Sequence, residues 1–265
     1  MEVKDKNFSN PKALRIAVVK GLEDKKKALF IREDEQGEDS IKLSDKSDKA
    51  YFQVVPTIKK NQNERLYIAG PSGSGKSTYV ADYISQHIKL INLDVTIYIF
   101  SSVKYDKILD ERFKDRIIRP DLEDEDCFTD PYDPEEFEQN SIVLFDDVDK
   151  IKLPKVRVAI YMLRENLLET GRHFNLTIIS TSHQLSNYAR TRTLLNEATS
   201  VTFFPKFAGG LHYIKEYLKK HMGFSPVEIK KCLTLSKNSR WITVYRSHPK
   251  YIISSKEAYI IQDEF

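Results

Sequence analysis

A glycine-rich segment is the part of this sequence best suited to chemistry. It matches the pattern G-x-x-x-x-G-K-[ST] in full and consists of Gly70, Pro71, Ser72, Gly73, Ser74, Gly75, Lys76 and Ser77. Glycines at these spacings allow successive backbone N–H groups to turn inward around a phosphate chain. The lysine supplies a positive charge for the β- and γ-phosphates, and the serine hydroxyl ligates Mg²⁺. The segment, together with Thr78, therefore predicts binding of a nucleoside triphosphate with Mg²⁺.

Two adjacent carboxylates follow an apolar run later in the chain. Residues 142–145 are apolar, and Asp146 and Asp147 come directly after them. A buried parallel strand delivers such residues to the carboxyl edge of its sheet, where open α/β sheets bind their ligands. We expect Asp146 to hold Mg²⁺ and Asp147 to polarise the attacking water. The pair predicts hydrolysis in addition to binding.

Polar residues after the next apolar run are candidates for sensing the γ-phosphate. Residues 176–181 are strand-like and lead to Gln184, whose amide carries both a donor and an acceptor. Thr181, Ser182 and His183 are alternatives for the same role.

An arginine supplied by a neighbouring subunit would stabilise the charge of the transition state in a ring of such enzymes. Arg172, just before this strand, is the first candidate, and Arg164, Arg190 and Arg192 are alternatives.

Alternating strands and helices must position these residues. Apolar runs predict strands at residues 66–69, 95–100, 142–145, 176–181 and 201–204. Helical spacing predicts helices at residues 78–91 and 155–170, with Gly171 capping the second. This alternation predicts an α/β P-loop NTPase fold with a mostly parallel sheet flanked by helices.

The chain is predicted to contain four segments. A disordered tail covers residues 1–12, and a small N-terminal β element covers residues 13–63, with strands at 14–19, 28–31 and 50–55. The P-loop core covers residues 64–205, including an acidic solvated loop around residues 121–126 and 135–138. A C-terminal α+β extension covers residues 206–265, with helices at 211–221 and 226–233 and a β pair at 241–245 and 251–253.

Composition excludes several classes of protein. The chain has 265 residues with a net charge of +3, so nucleic acid binding through bulk charge is not expected. Cys127 and Cys232 are far apart, which argues against a disulfide framework and favours a reducing compartment. The first ten residues are polar, and no apolar run reaches the ~20 residues of a membrane helix. We expect a cytosolic-type protein without a membrane partner.

The glycine-rich loop, the acidic strand end and the segment from Gly171 to Gln184 resemble those of the FtsK–HerA superfamily of P-loop ATPases. Within it, they are most similar to the genome-packaging ATPases of nucleocytoplasmic large DNA viruses, the poxvirus-like group. The resemblance spans roughly residues 65–251 and rests on residues 68–77, 142–147 and 171–184. The second acidic residue, often Glu in that family, is Asp147 here, and the N-terminal β element has no counterpart.

The resemblance implies a homo-oligomeric ring that uses ATP and Mg²⁺ to drive double-stranded DNA into a preformed capsid. It assigns phosphate and metal binding to Lys76 and Ser77, metal binding to Asp146, water activation to Asp147 and γ-phosphate sensing to Gln184. A capsid or portal-type protein would be a partner. The location would be a viral factory in the host cytoplasm or the virion.

A basic C-terminal stretch offers weak support for DNA binding. Trp241 and Tyr245 are interleaved with its last members, and a solvated face explains the stretch equally well. Its basic residues are Lys215, Lys219, Lys220, Lys230, Lys231, Lys237, Arg240, Arg246 and Lys250.

Two other functions share the phosphate loop. One is an assembly or scaffold ATPase without DNA translocation. The other is a nucleoside or nucleotide kinase, for which the sequence shows no clear arginine-rich lid. Stimulation of activity by DNA would separate the motor from both.

Overall fold

The computed structural model describes residues 1–6, 8, 10, 12–21, 27–32, 40–43, 49–57, 62–123, 132–186, 188–207, 211–246 and 249–261. The chain divides into two compact units. We call residues 58–198 the core unit, and residues 1–57 with 199–265 the split unit. Cys127 and the acidic residues 124–126 lie outside the described residues.

Antiparallel strands form the N-terminal part of the split unit. They are β1 (Glu2–Asp5), β2 (Ala13–Lys20), β3 (Lys27–Arg32), β4 (Ser40–Lys42) and β5 (Tyr51–Val54). β2 pairs with both β3 and β5, and β1 pairs with β3. The prediction of a disordered tail over residues 1–12 is wrong at Glu2–Asp5. This segment lacks an apolar pattern, and its backbone ladder with β3 gives it strand structure.

The core unit is an α/β structure built on parallel strands. Its elements are β6 (Arg65–Ala69), α1 (Lys76–Leu90), β7 (Ile97–Ser101), α2 (Lys107–Phe113), β8 (Ile117–Ile118), β9 (Ile142–Asp146), α3 (Pro154–Thr170), β10 (Thr177–Ser182) and α4 (Tyr188–Glu197). The strand order is β6-β10-β9-β7-β8, with parallel pairing throughout. Apolar runs fill the central strands and are buried, as a sheet covered on both faces requires. The predicted mostly parallel sheet flanked by helices is confirmed.

The strand order places the carboxyl ends of four strands side by side. β10 lies between β6 and β9, with Ser182 paired to Ala69 and Ser180 paired to Phe145. On the other side of β9, Asp146 is paired to Ser101 of β7. The segments that follow these strands therefore emerge at one edge of the sheet.

The turn after α3 differs in detail from the prediction. Gly171 is the C-cap residue, but its φ of −55° is right-handed. The chain continues as a 3₁₀ turn over Gly171–Phe174, and the left-handed residue is Asn175, with a φ of 57°. Asparagine tolerates this conformation better than most residues.

The C-terminal part of the split unit contains β11 (Ser200–Phe203), α5 (Leu211–Lys220), α6 (Pro226–Thr234), β12 (Ile242–Tyr245), β13 (Lys250–Ser254) and β14 (Glu257–Ile261). β11, β12, β13, β14 and β4 pair in this order, all antiparallel. β11, placed within residues 64–205 by the sequence, therefore groups with the C-terminal strands. α6 begins with a capping box formed by Ser225 and Glu228. Among the described residues, no helix is long and apolar enough to cross a membrane.

Candidate nucleotide site

The glycine-rich loop connects β6 to α1 and is anchored on β10. The Gly70 N–H donates to the Ser182 carbonyl at 2.9 Å, which extends the parallel ladder past the end of β6. Gly73 and Gly75 have φ values of 74° and 110°, in the left-handed region that favours glycine. Gly75 is the N-cap of α1, so the positive end of the helix dipole faces the loop.

Lys76 closes the loop on itself. Its side chain is buried, and Nζ donates to the Gly70 carbonyl at 2.9 Å. The same ammonium lies 3.6 Å from Oδ2 of Asp147. Ser77, the next residue of α1, is half-buried, whereas Ser72 and Thr78 are exposed. The structure thus brings the predicted phosphate lysine and the predicted base together.

Asp146 is held by hydroxyl groups from the strands on either side. Its Oδ1 accepts from Thr181 Oγ1 at 2.7 Å, and its Oδ2 accepts from Ser101 Oγ at 3.2 Å. Burial raises the pKa of Asp146 above its ordinary value, and the hydrogen bond from Thr181 opposes this shift. The neighbouring charge of Asp147 raises the pKa further. A cation bound here would favour the ionised form.

Asp147 adopts a left-handed conformation directly after β9, with a φ of 45°. Its N–H donates to Thr181 Oγ1 at 3.0 Å. Thr181 thus accepts from the backbone of Asp147 while it donates to the carboxylate of Asp146. Backbone strain of this kind persists where the surroundings hold it, and it concentrates at functional sites.

His183 is a second side-chain partner of Asp147. Its Nε2 lies 3.0 Å from Oδ2 of Asp147, and its ring is partly exposed. Thr181 and His183, both named as alternatives from the sequence, thus contact the acid pair.

Gln184 is placed differently. Its side chain is exposed and, in the described contacts, touches neither Asp146 nor Asp147. Its backbone N–H donates to Ser182 Oγ at 3.3 Å, and its carbonyl accepts from Tyr67 Oη at 2.7 Å. The sensing role of Gln184 therefore stays a prediction.

The candidate arginines occupy different positions. Arg172 is exposed in the turn before the amino end of β10, at the sheet edge opposite the loop. Arg164 is only 4% exposed, and its guanidinium lies 4.9 Å from the ring centroid of Tyr161. Burial lowers the pKa of Arg164. Arg164 is thus buried beside Tyr161, whereas Arg172 is exposed, and the choice among these arginines stays a prediction. Arg192 is exposed on α4, and the side chain of Arg190 lies outside the description.

Two residues of the site were missed from the sequence. Ser101 follows the apolar run of β7 just as Asp146 follows that of β9, so the same strand-end signal could have identified it. Tyr67 is buried within β6, and its hydroxyl donates to the carbonyls of Gln184 and Leu185. It fixes the chain after β10, but within an apolar run it resembles any core residue.

The residues present fit a nucleotide phosphate chain with Mg²⁺. Gly73 has a left-handed φ that favours glycine, and an added Cβ there would meet nothing within 4 Å, so the space beside the loop at this position is open. Ser74 Oγ is buried and has no hydrogen-bond partner in the described part of the chain, a group that a phosphate oxygen or water would satisfy. The loop also presents Ser77 at the start of α1, and β9 presents the carboxylate of Asp146 at the same sheet edge.

A virophage protein shares much of this sequence. The chain is 37% identical to the uncharacterized protein V3 of Sputnik virophage over 230 residues, which cover 86% of this chain and 86% of that protein. The chain belongs to the V3 family. No family model matches this V3-family protein.

One solved structure shows a similar fold. The cytoplasmic domain of the type VII secretion ATPase EccC from Thermomonospora curvata matches 94% of this V3-family chain and 29% of its own, with a TM-score of 0.51 and 10% identity. The genome packaging NTPase B204 of Sulfolobus turreted icosahedral virus 2 matches 72% of this chain and 95% of its own, with a TM-score of 0.48 and 13% identity. At 10% identity, the match to EccC shows the fold alone, and this fold agrees with the predicted one.

Proposed function

We propose that this protein hydrolyses ATP with Mg²⁺ and uses the reaction to move double-stranded DNA as a packaging motor. One observation carries the ATP-hydrolysis part of the proposal. The lysine of a complete phosphate loop lies 3.6 Å from the second carboxylate of an acidic strand end, so binding and water-activating groups share one site. A phosphate loop alone would support binding, and the adjacent acid pair supports hydrolysis.

Each group has a defined role in this proposal. Residues 70–78 hold the phosphates through backbone N–H groups and Lys76. Ser77 and Asp146 would hold Mg²⁺, which neutralises charge on the phosphate oxygens. Asp147 accepts the proton of the attacking water. Thr181 holds the carboxylate of Asp146 and the backbone N–H of Asp147, and His183 orients the Asp147 carboxylate from the solvent side.

The DNA half of the proposal rests on two other observations. Residues 171–184 resemble the corresponding segment of viral packaging ATPases, and the chain belongs to a family with a virophage member. A motor of this type works as a homo-oligomeric ring on a capsid or portal-type partner. It would act in a viral factory of the host cytoplasm or in the virion.

Arg172 is the proposed arginine that reaches the site of the next subunit. It is exposed and lies at the sheet edge opposite its own phosphate loop, so it is free to act only on another copy. In assembled rings, Arg172→Ala should inactivate the sites of wild-type neighbours. If mixed rings lose activity only in proportion to the mutant fraction, this assignment is wrong.

Steady-state ATP hydrolysis tests the motor function. We expect Mg²⁺-dependent turnover that linear double-stranded DNA stimulates, with weaker stimulation at higher salt because phosphate contacts release counterions. Chelation of Mg²⁺ should stop the reaction. A rate of ATP hydrolysis that DNA does not change at any salt concentration would contradict the motor and favour an assembly ATPase. The assignment of the hydrolytic site would still stand.

A further inference from the structure

Helices α5 and α6 of the split unit border an open groove of about 730 Å³. The groove belongs to the split unit alone, and the nucleotide site described above does not use it. Its lining combines a basic rim with an apolar floor.

The rim is strongly basic. Five lysines line the groove against one carboxylate, that of Glu216. Glu216 is already engaged, because Lys220 Nζ lies 2.7 Å from its Oε1. This pairing lowers the pKa of Glu216, so the carboxylate stays ionised. In the described residues, Lys215, Lys219, Lys230 and Lys237 make no salt bridge. They are exposed, so their charges are available to a ligand.

The floor is apolar and follows one face of α6. Pro226, Ile229 and Leu233 line the groove at a spacing of three and four residues, which places them on one stripe of the helix. Pro226 is exposed, and Ile229 and Leu233 are partly exposed, so their own fold does not cover them fully. An apolar stripe within a basic rim is typical of a binding surface.

We propose that the α5–α6 groove docks an acidic amphipathic helix of a partner protein. Apolar residues of that helix at positions i, i+3 or i+4, and i+7 pack on Ile229 and Leu233, and its carboxylates pair with the rim lysines. Docking at this surface is a function separate from ATP hydrolysis. The basic rim selects a partner with carboxylates, and the apolar floor selects a partner with apolar side chains on one face.

Duplex DNA fits this groove less well, although the sequence places the same lysines in a stretch that suits phosphates. A phosphate backbone would use the rim and leave Ile229 and Leu233 uncovered. An aromatic residue of that stretch is also inaccessible to bases. Tyr245 is 1% exposed and stacks on Tyr251 with ring centroids 4.5 Å apart.

A labelled synthetic peptide tests the proposal on the full chain. The probe is a fluorescein-labelled helix of about 16 residues with leucines at helical spacing and glutamates on the other face. Fluorescence anisotropy measures its binding, and a control peptide replaces each leucine with serine at unchanged charge. We expect the leucine peptide to bind at least about fivefold more tightly, because only it covers the floor.

Two matched double variants and one single variant localise the binding. Lys219→Gln with Lys230→Gln removes two rim charges and should weaken peptide binding about tenfold. Lys89→Gln with Lys114→Gln removes two exposed charges from the core unit and should change nothing. Ile229→Ser should weaken the leucine peptide and leave the serine peptide unaffected. All variants should retain wild-type ATP hydrolysis, which reports that they are folded.

Three outcomes would overturn the proposal. One is no peptide binding at low salt. Another is equal affinity for the leucine and serine peptides, which would mean that charge alone acts. The third is displacement of the peptide by duplex DNA, together with weaker DNA binding by the Lys219→Gln, Lys230→Gln variant and unchanged DNA binding by Ile229→Ser. That result would make the groove a site for DNA phosphates.

Discussion

The ammonium of Lys76 lies 3.6 Å from the Oδ2 atom of Asp147. Lys76 begins α1 after the loop that follows β6, and Asp147 lies in the turn after β9, so the contact joins segments that follow two strands separated by β10. His183, after β10, lies 3.0 Å from the same oxygen. Phosphates that bind Lys76 would compete with the Asp147 carboxylate for the positive charge of the lysine. In the proposed function, ATP binding therefore releases Asp147, the proposed base, from Lys76.

Asp147→Asn should abolish turnover while ATP binding persists. The substitution removes the proton acceptor but leaves the loop and Lys76 in place, so we expect a loss of about 10²–10⁴-fold in kcat. Steady-state hydrolysis and binding of a fluorescent nucleotide measure the two properties separately. Asp115→Asn, which changes an exposed carboxylate after α2, is the control. Sustained turnover in Asp147→Asn would place the base elsewhere.

His183→Ala and Gln184→Ala should differ in effect. His183 contacts Asp147 directly, so its loss should lower kcat about tenfold, whereas loss of the exposed Gln184 side chain should change kcat less than about twofold. His183→Asn, which keeps a donor, should recover part of the activity. A larger loss in Gln184→Ala than in His183→Ala would instead support Gln184 as the γ-phosphate sensor.

Asp146→Asn should make the protein more stable and inactive. Burial raises the pKa of Asp146, so ionisation costs stability, and this cost is absent at acid pH and fully present above the raised pKa. At pH 7 the amide removes the cost, and Tm should rise in the absence of Mg²⁺. Added Mg²⁺ with nucleotide should raise the Tm of the wild type more than that of the variant. A lower Tm for Asp146→Asn would contradict the role of burial.

His87 should make the fold sensitive to acid. Burial lowers the pKa of His87 to about 4, and its Nε2 lies 3.4 Å from Thr177 Oγ1. The unfolded chain binds this proton more tightly than the folded one. Above about pH 6.5, His87 is neutral in both states and does not lower the free energy of unfolding. As the pH drops toward 4, the unfolded chain takes up the proton first, and the free energy of unfolding falls by roughly 3 kcal/mol in total.

Thermal unfolding of His87→Gln checks this prediction. Between pH 7 and pH 4.5, the Tm of the variant should decrease less than the Tm of the wild type. Glutamine keeps a polar group near Thr177 but does not titrate. Parallel declines in both proteins would mean that other groups govern the acid sensitivity.

The parts of the site that were predictable from sequence are those with a local signature. Gly70 to Ser77 form one contiguous pattern, and Asp146 and Asp147 end an apolar run long enough for a strand. Both signals depend on neighbours within a few residues. The roles assigned to these residues stay predictions, but their convergence in space follows from parallel strands sharing a carboxyl edge.

The remaining features depend on distant pairings. Ser101 contacts Asp146 only because β7 lies beside β9 in the sheet. The local sequence of neither strand predicts this strand order. The choice between His183 and Gln184 depends on side-chain directions in a turn, where strand alternation no longer applies. Likewise, β4 pairs with β14 across more than half of the chain, so no local pattern could group residues 1–57 with residues 199–265.

The most direct test compares steady-state ATP hydrolysis of the wild type and Lys76→Ala at saturating ATP and Mg²⁺, with Lys89→Ala as a control for loss of an exposed lysine on α1. The wild type and Lys89→Ala should turn over ATP equally, and Lys76→Ala should be at least about a hundredfold slower, because it lacks the charge that stabilises the phosphates. Equal turnover in all three proteins would contradict the nucleotide site.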